Sequence, residues 1–336
     1  MEAGFVVAIA LALTFAVTNG LHDASNAIAT LVATRAASPR QAIVLAAVFN
    51  LLGPLLVGAA VADTIGGIVI VSPAEAAAVI GSGLAGAVAW NLITWRLGLP
   101  SSSGHALVGG LVGAALVEGG AGAVLWGGFE GIHPVGVLGT LAALAVSPPL
   151  GALGGLVAIR LIRRGWRRAT HRWDRPVAGG EWLMSATLAF SHGANDAQKS
   201  VGVIAALLLA DGRIATLAAP TWATIACAVA LTAGTTLGGW RIIRTVGRRI
   251  YRIQPVEGLA SQSASSAIIL GASVVGGPVA TTQVVASSIA GIGTGRRRVH
   301  HVRWAVVRQM SLAWLVTIPA AGALAIGALA VWEAIA

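Results

Sequence analysis

Long apolar segments alternate with short polar or basic ones along the whole chain. A helix of about 20 apolar residues is long enough to cross a hydrocarbon core of about 30 Å. The pattern therefore predicts an all-α polytopic protein with six full spans and two shorter apolar pairs that turn back on themselves as re-entrant hairpins. The predicted spans are residues 4–34, 39–61, 134–159, 181–210, 219–240 and 304–332, and the predicted hairpins are residues 76–117 and 259–292.

Two of the predicted spans carry polar residues in their middle. The span 4–34 contains Asn19-Gly20 and His22-Asp23, and the span 181–210 contains the polar run from His192 to Lys199. Polar groups at bilayer depth are costly unless protein or a water-filled cavity surrounds them. We therefore expect a broken helix in each of these two spans, with an internal cavity at the breaks.

Basic residues are confined to particular connections between the apolar segments. Seven Arg lie between positions 160 and 175, five between 241 and 252, and four between 296 and 303. The connections near Asp63 and Glu75 contain no basic residue. Cytoplasmic loops of membrane proteins are enriched in Lys and Arg. The pattern predicts cytoplasmic basic loops, both termini outside, and two halves that cross the cell membrane in opposite directions.

An internal repeat relates the two halves. Three stretches recur in the same order, with offsets of 173 to 181 residues. Residues 22–27 recur at 195–200, Pro39, Gly53 and Gly58 recur as Pro220, Gly234 and Gly239, and the hairpin turn 100–105 recurs at 278–283. We therefore expect two inverted-topology repeats, residues 1–162 and 181–336, joined by a basic cytoplasmic linker, residues 163–180. Transporters with a midplane substrate site commonly have this plan.

Composition supports a membrane protein and argues against other classes. The chain is 56% hydrophobic and 10% charged, whereas soluble domains carry about 25% charged residues. The net charge of +10 lies in the loops, so the expected neighbour of the basic residues is the lipid bilayer and not a nucleic acid. The single Cys227 excludes an internal disulfide. We find no phosphate-loop motif and no convincing catalytic constellation, so we expect a non-enzyme without a cofactor.

Oxygen ligands for a small hard cation cluster in the two polar interruptions. Asp23 and Asp196 supply carboxylates, which suit Na⁺ or another hard cation. The amide candidates are Asn19, Asn26, Asn195 and Gln198. Three histidines, His22, His105 and His192, are candidates for carrying protons if coupling uses H⁺. A hydrogen-bonded structural role is the alternative for each histidine.

Anion donors are predicted at the two hairpin turns. Hydroxyl groups stand where hairpin arms begin, and unpaired N–H groups at helix starts attract anions. The candidates are Ser101, Ser102, Ser103 and Gly104 in the first hairpin and Thr281, Thr282 and Gln283 in the second. Lys199, the only Lys of the chain, either contributes charge near the anion or forms a structural pair with Asp196. Cation ligands and anion donors in one cavity favour a cation-coupled anion symporter.

These motifs resemble a known family. The run from His192 to Lys199 resembles the signature of the inorganic phosphate transporter (PiT) family, and Asn19 to Ala27 resembles the first-half copy of its bacterial members. The hairpin turns resemble the family's Pro-x-Ser-Thr-Thr-His pattern, so the similarity covers nearly the whole chain. The resemblance implies secondary active import of phosphate with Na⁺ or H⁺ by alternating access, in a homodimer.

The resemblance also implies residue roles. By motif position, phosphate contacts fall on Ser102, Ser103, Thr281 and Thr282, and cation ligands centre on Asp23, Asn26, Asn195 and Asp196. The chain departs from the family pattern at Gly104, at Gln283, where His is usual, and at Gln262, where many relatives have Glu. A sulfate symporter on the same scaffold, a passive anion channel and an intramembrane hydrolase therefore remain alternative hypotheses.

Overall fold

Helices make up nearly all of the structure. The computed structural model describes residues 2–130, 133–165, 174–239, 242–243, 245–296 and 299–335. Within the predicted basic linker 163–180, residues 166–173 lie outside the described residues. A two-stranded antiparallel ribbon, which the sequence pattern did not predict, is the one departure from helix among the described regular elements.

The first half contains six helices and the ribbon. The elements are α1 (Glu2–Ala33), α2 (Pro39–Leu56), α3 (Ala60–Gly66), α4 (Pro73–Leu97), α5 (Ser103–Gly119), a 3₁₀ turn (Gly120–Ala123), β1 (Gly128–Glu130), β2 (His133–Val135) and α6 (Gly136–Gly165).

The described part of the second half contains five α-helices. The elements are α7 (Asp174–Ala210), α8 (Thr221–Leu237), a π-helical turn (Thr245–Arg249), α9 (Pro255–Val274), α10 (Thr281–Gly295), a 3₁₀ turn (Val299–His301) and α11 (Trp304–Ile335).

Six of the described helical segments are long and apolar enough to cross a membrane: α1, α2, α4, α5 together with the 3₁₀ turn that follows it (Ser103–Ala123), α6 and α11. The number equals the predicted number of spans, but the members differ. The two arms of the first predicted hairpin, α4 and α5, each meet this criterion, whereas α7 and α8 do not. The polar motif lowers the hydropathy of α7, and α8 has only 17 residues. The chain is a polytopic, nearly all-helical membrane protein.

The two predicted helix breaks are wrong. α1 runs without interruption from Glu2 to Ala33, through Asn19 and Asp23. α7 likewise continues through the polar run from His192 to Lys199. The polar side chains of both runs are buried and several of them bond to neighbouring helices, so the backbone keeps its own helical hydrogen bonds. Side chains, rather than freed backbone groups, line the polar centre.

Two buried turns join consecutive helices at the places predicted for the hairpins. Residues 98–102, the first turn, join α4 to α5, and residues 275–280, the second turn, join α9 to α10. Gly98 and Gly276 have left-handed backbones, with φ of 68° and 76°, which glycine adopts readily. In both cases the two joined helices pack against each other. The re-entrant course of these hairpins through a bilayer stays a prediction.

Equivalent glycines let equivalent helices cross closely in the two halves. A Cβ atom at Gly20 or Gly234 would collide with the facing backbone where α1 crosses α8, and one at Gly53 or Gly193 would collide where α2 crosses α7. Small residues permit such close approach of helices in membranes. The same packing therefore occurs twice, as the sequence repeat predicts. The opposite orientation of the halves in the membrane stays a prediction.

Candidate functional site

The two candidate carboxylates come together at the start of α10. Thr282 Oγ1 donates a hydrogen bond to Asp23 Oδ1 at 2.6 Å, and Thr281 Oγ1 donates to Asp196 Oδ2 at 2.9 Å. Asp23 and Asp196 are 1% and 0% exposed. Ligand atoms of Asp23, His192 and Asp196 all lie within 4.8 Å of one another. One helix terminus thus bridges the polar centres of α1 and α7.

The neighbours of Asp23 are mostly neutral donors. Ser103 Oγ, at the start of α5, donates to Asp23 Oδ2 at 2.9 Å, and Asn26 Nδ2 donates to Asp23 Oδ1 at 3.1 Å. The Asn26 amide also lies 3.1 Å from Thr282 Oγ1. His22 Nδ1 stands 3.5 Å from Asp23 Oδ1. Among the described residues, neither Lys nor Arg pairs with this carboxylate, so its neighbours are hydroxyl and amide dipoles and the His22 imidazole.

Asp196 has its own positive partner. Lys199 forms an ion pair with Asp196 one turn along α7, and it is 1% exposed. Lys199 Nζ also donates to the Val279 carbonyl of the second turn at 3.0 Å. Gly104 of α5 lies beside the ammonium, since a Cβ there would be 3.5 Å from Nζ. Lys199 therefore stands between the beginnings of the two candidate anion-binding helices.

A hydrogen-bond chain assigns one proton of His192. Thr235 Oγ1 donates to the Leu231 carbonyl at 3.0 Å, so it accepts from Asn50 Nδ2 at 3.1 Å. The Asn50 Oδ1 atom then faces His192 Nδ1 at 3.0 Å, which requires a proton on Nδ1. His192 Nε2 lies 3.1 Å from Asp196 Oδ2. A second proton, or a cation that both atoms share, must separate these two acceptors.

The charges of the carboxylate centre, which consists of Asp23, His192, Asp196 and Lys199, favour the binding of cations. The two carboxylates and one ammonium leave a net charge of −1 when the imidazoles are neutral. A buried charge is costly unless it is paired. A phosphate dianion entering this centre would add to the negative charge. The centre therefore accommodates an anion only together with one or more cations.

Several predicted site residues lie around this centre in supporting contacts. Ser101 Oγ contacts His22 Nε2 at 3.2 Å and Thr94 Oγ1 at 2.9 Å. Ser102 Oγ accepts from the backbone N–H of His105 at 3.3 Å, which makes Ser102 the N-cap of α5. These contacts stabilise the first turn and orient His22 toward Asp23.

Three of the predicted amide ligands point away from the paired carboxylates or have no partner. Asn195 Nδ2 donates to Ser273 Oγ and to the Gly277 carbonyl, both at 3.1 Å. Gln198 Oε1 accepts from the Val61 N–H at 2.9 Å. Further buried polar atoms have no partner among the described residues, which points to internal water or ligand. They include both amide atoms of Asn19, Asn195 Oδ1, Gln198 Nε2, His105 Nδ1 and Gln283 Oε1.

Sequence reasoning missed Asn50, Thr94 and the Val279 carbonyl. Asn50 is a lone Asn in an otherwise apolar stretch of α2, and this position was the signal that could have identified it. Many Thr residues in membrane helices bond only a carbonyl of their own helix, and Thr94 also makes such a bond, to the Trp90 carbonyl at 2.9 Å. Nothing in the sequence therefore distinguished Thr94, which in addition contacts Ser101. A backbone carbonyl carries no signature in a sequence.

Comparison with known proteins places the chain in a family. A profile of the Phosphate transporter family matches residues 19–179 and 167–325. A protein of Mycobacterium bovis named "Probable low-affinity inorganic phosphate transporter" is 42% identical, over 94% of this chain and 75% of its own length. A protein of Bacillus subtilis with the same name is 38% identical, over 94% of this chain and 92% of its own length.

A solved structure has the same fold. It is named "The sodium-dependent phosphate transporter", and it superimposes with a TM-score of 0.86 over 99% of this chain and 100% of its own chain, at 24% identity. The profile match covers both halves of the chain, including both polar motifs and both turns. This protein therefore belongs to the Phosphate transporter family.

Proposed function

We propose that this protein imports inorganic phosphate across the cell membrane together with a cation, Na⁺ or H⁺, as a secondary active symporter. The observation that carries the proposal is a buried Asp23 without a Lys or Arg partner among the described residues, directly beside hydroxyl groups at the starts of two helices. The names of the relatives support phosphate as the substrate. The name of the structural neighbour supports a cation as the co-transported ion.

The cation is proposed to bind at the paired carboxylates. Asp23 and Asp196 are its central ligands, and Asn26 stands beside both Thr281 and Thr282. The unpartnered Oδ1 atoms of Asn19 and Asn195 are further acceptors on the same two helices. Carboxylate and amide oxygens suit Na⁺, and His192 beside Asp196 suits a proton.

Phosphate is proposed to bind between the starts of α5 and α10. Free N–H groups and the positive helix ends attract anions there. The donors are the hydroxyl groups of Ser103, Thr281 and Thr282, with Lys199 beside them. Ser101 and Ser102 shape the first turn, and the backbone of Gly104 lies beside Lys199. Gln283 lies in the first turn of α10, and its Oε1 atom has no partner among the described residues.

The hydrogen bonds of Asp23 provide a route for coupling. Ser103 and Thr282 donate their protons to Asp23, so neither hydroxyl is free to donate to an anion. A cation on the carboxylate replaces those donors, and each hydroxyl then turns its O–H toward phosphate. Cation binding thus prepares the phosphate site, and we expect the cation to bind first. Rearrangement of the two inverted repeats, in a homodimer, then carries both ions across.

Reconstitution in liposomes tests the proposal. Uptake of radiolabelled phosphate is measured with an inward Na⁺ gradient, with an inward H⁺ gradient and with neither. We expect accumulation only with one of the gradients, and weak competition by an equal concentration of sulfate, which, unlike hydrogen phosphate, has no proton to donate to an acceptor of the site. Gradient-independent flux would indicate a passive anion channel. Sulfate that competes as well as unlabelled phosphate would indicate a sulfate symporter.

A further inference from the structure

A second polar cavity lies far from the carboxylate centre, at the C-terminal end of α1. It has a volume of about 990 Å³. Its wall begins at Ala33 and Thr34, and Thr34 is about 16 Å along the helix from Asp23, at about 1.5 Å per residue. Gly247, residues 251–255, and residues 300, 301 and 303 complete the wall. Three separate parts of the chain therefore line one space, which is partly open to solvent.

The wall of this cavity is strongly basic. Its charged or titratable side chains, apart from Tyr251, are Arg35, Arg252, Arg303, His300 and His301. Among the described residues, no Asp or Glu lines it, and the three guanidinium groups make neither an ion pair nor a side-chain hydrogen bond. Each guanidinium has five N–H donors arranged to hold phosphate or carboxylate oxygens in pairs.

Not every arginine at this end of the protein lacks an acidic partner. Arg296 pairs with Glu257 and also donates to Gln254 Oε1 at 2.9 Å. Glu181 lines an adjoining cavity of about 510 Å³, together with Arg35, but it bonds to Thr34, whose Oγ1 lies 3.2 Å from Glu181 Oε2. Glu257 is thus paired with Arg296, and Glu181 faces the adjoining cavity and not the larger one. Among the described residues, the three guanidinium groups of the larger cavity have no acidic partner.

The backbone of Arg35 is a second, independent observation. Its φ is 62°, and among the described residues it is the one non-glycine residue with a positive φ. This conformation is unfavourable for an L-residue with a side chain, and glycine is the usual residue just after a helix end. A chain that only needed to end α1 would have glycine here. The arginine side chain is therefore the reason to keep the strained conformation.

The ordinary explanation for these residues is the basic bias of cytoplasmic loops. That bias predicts exposed arginines, and Arg35, Arg252 and Arg303 are exposed. It does not predict that three separate segments line one cavity, nor that an arginine stands at a glycine position. The volume is at the upper end of the range of about 300–1,000 Å³ for ligand pockets. A single phosphate ion would leave most of this space empty.

We propose that this basic cavity binds a polyphosphorylated anion, either a soluble one such as a nucleoside triphosphate or the headgroup of a polyphosphorylated lipid. Several phosphate groups on one scaffold match three guanidinium groups on three segments. The ligand would tie the end of α1 to residues 247–255 and 300–303. Because α1 carries Asp23 and Asn26, the bound ligand would slow transport, a consequence that rests on the proposed function.

Binding to the purified full-length protein tests the site without any transport. Isothermal titration calorimetry compares ATP, inositol trisphosphate as the soluble form of a lipid headgroup, and orthophosphate. We expect ATP or inositol trisphosphate to bind at least tenfold more tightly than orthophosphate, and the tighter of the two identifies the source of the ligand. Because orthophosphate is also expected to bind between the starts of α5 and α10, only the binding that Arg35→Gly weakens is assigned to the cavity. Orthophosphate whose Arg35-dependent binding is as tight as that of both other ligands, or the absence of binding by both, would overturn the proposal.

Arg35→Gly is the most informative variant, because glycine suits the backbone at this position. We expect at least tenfold weaker binding with an unchanged or higher melting temperature. Arg252→Gln should also weaken binding. Arg308→Gln is the matched control, since Arg308 is exposed near the same end of α11 and does not line the cavity. Undiminished binding in both Arg35→Gly and Arg252→Gln would refute the site.

Proteoliposomes separate this proposal from the proposed function. The tighter ligand is enclosed in the vesicles or added outside, and phosphate uptake is followed for the wild type and Arg252→Gln. We expect severalfold slower uptake of the wild type with the ligand on one side only, and no effect on the variant. Ligand binding without any driven uptake would leave the site standing and refute symport. A rate of driven phosphate uptake that is the same with and without the bound ligand would refute the regulatory role.

Discussion

Asp23 and Asp196 occupy equivalent positions in the two repeats, yet their surroundings differ in charge. Asp23 receives hydrogen bonds from Ser103, Thr282 and Asn26, all of them neutral. Asp196 pairs with Lys199 and faces His192. The repeat offset of 173 residues places Asn26 opposite Lys199 and Asn19 opposite His192. Two substitutions thus separate a carboxylate held by dipoles from one that carries its own counter-charge.

The two copies of the duplicated motif can therefore have different roles. The charge of Asp196 is compensated by Lys199 before any mobile ion binds, so this ion pair organises the two turns in the absence of that ion. Asp23 stays charged in a place where burial of charge is costly. We infer that the driving cation compensates Asp23 first, and that the Asp196 side mainly maintains the geometry.

The largest expected effect is that of Asp23→Asn. The amide keeps the size of the side chain but removes the charge that requires a cation, so we expect driven phosphate uptake to fall at least 100-fold, roughly 3 kcal/mol. Thermal stability should change little, because hydroxyl donors can still bond the amide oxygen. Uptake and melting temperature are measured together. Asp63→Asn, at an exposed position of α3, is the control. Near-normal uptake by Asp23→Asn would contradict the claim that the charge of Asp23 requires a cation.

Lys199→Met should act mainly on stability. It leaves Asp196 charged, buried and without its Lys partner, and breaking a buried pair in this way costs about 3–5 kcal/mol. The double variant Asp196→Asn/Lys199→Met removes both charges, so we expect it to regain much of the lost stability. Denaturation of the detergent-solubilised protein gives the coupling between the two positions. A double variant no more stable than Lys199→Met would mean that Asp196 does not depend on this pair.

Substitutions of the two adjacent threonines test the difference between Asp23 and Asp196 with the smallest expected effect. Thr282→Val removes a donor to Asp23 and Thr281→Val removes a donor to Asp196. The Thr282 hydroxyl is proposed to turn toward phosphate once the cation is bound, and a hydrogen bond to a charged group contributes about 1.5–3 kcal/mol. Thr282→Val should therefore lower uptake about tenfold or more. Thr281→Val should lower it less, since Lys199 still holds Asp196. The cation concentration for half-maximal uptake is measured for both variants, and equal shifts would contradict the asymmetry.

Much of the fold could be predicted from apolar segment lengths, because a bilayer imposes a minimum length on any spanning helix. The turns near Pro100 and Pro278 were also predictable, since proline, glycine and hydroxyl residues end and begin helices in characteristic ways. Segment lengths and residue types could not show whether α1 and α7 are interrupted at their polar runs. Whether a polar run interrupts a helix depends on partners such as Asn50 and Thr235, which lie on other helices.

The amino-acid sequence alone identifies the repeat, the two carboxylates, the hydroxyl groups at the turns and the single Lys, because each depends on residue type and local spacing. The folded structure is needed to show that Thr282 bonds Asp23 across 259 positions while Thr281 bonds Asp196 across 85. It also shows that Arg35, Arg252 and Arg303 share one cavity. Such pairings depend on how helices cross, and helix crossing is a property of packed surfaces that no local pattern encodes.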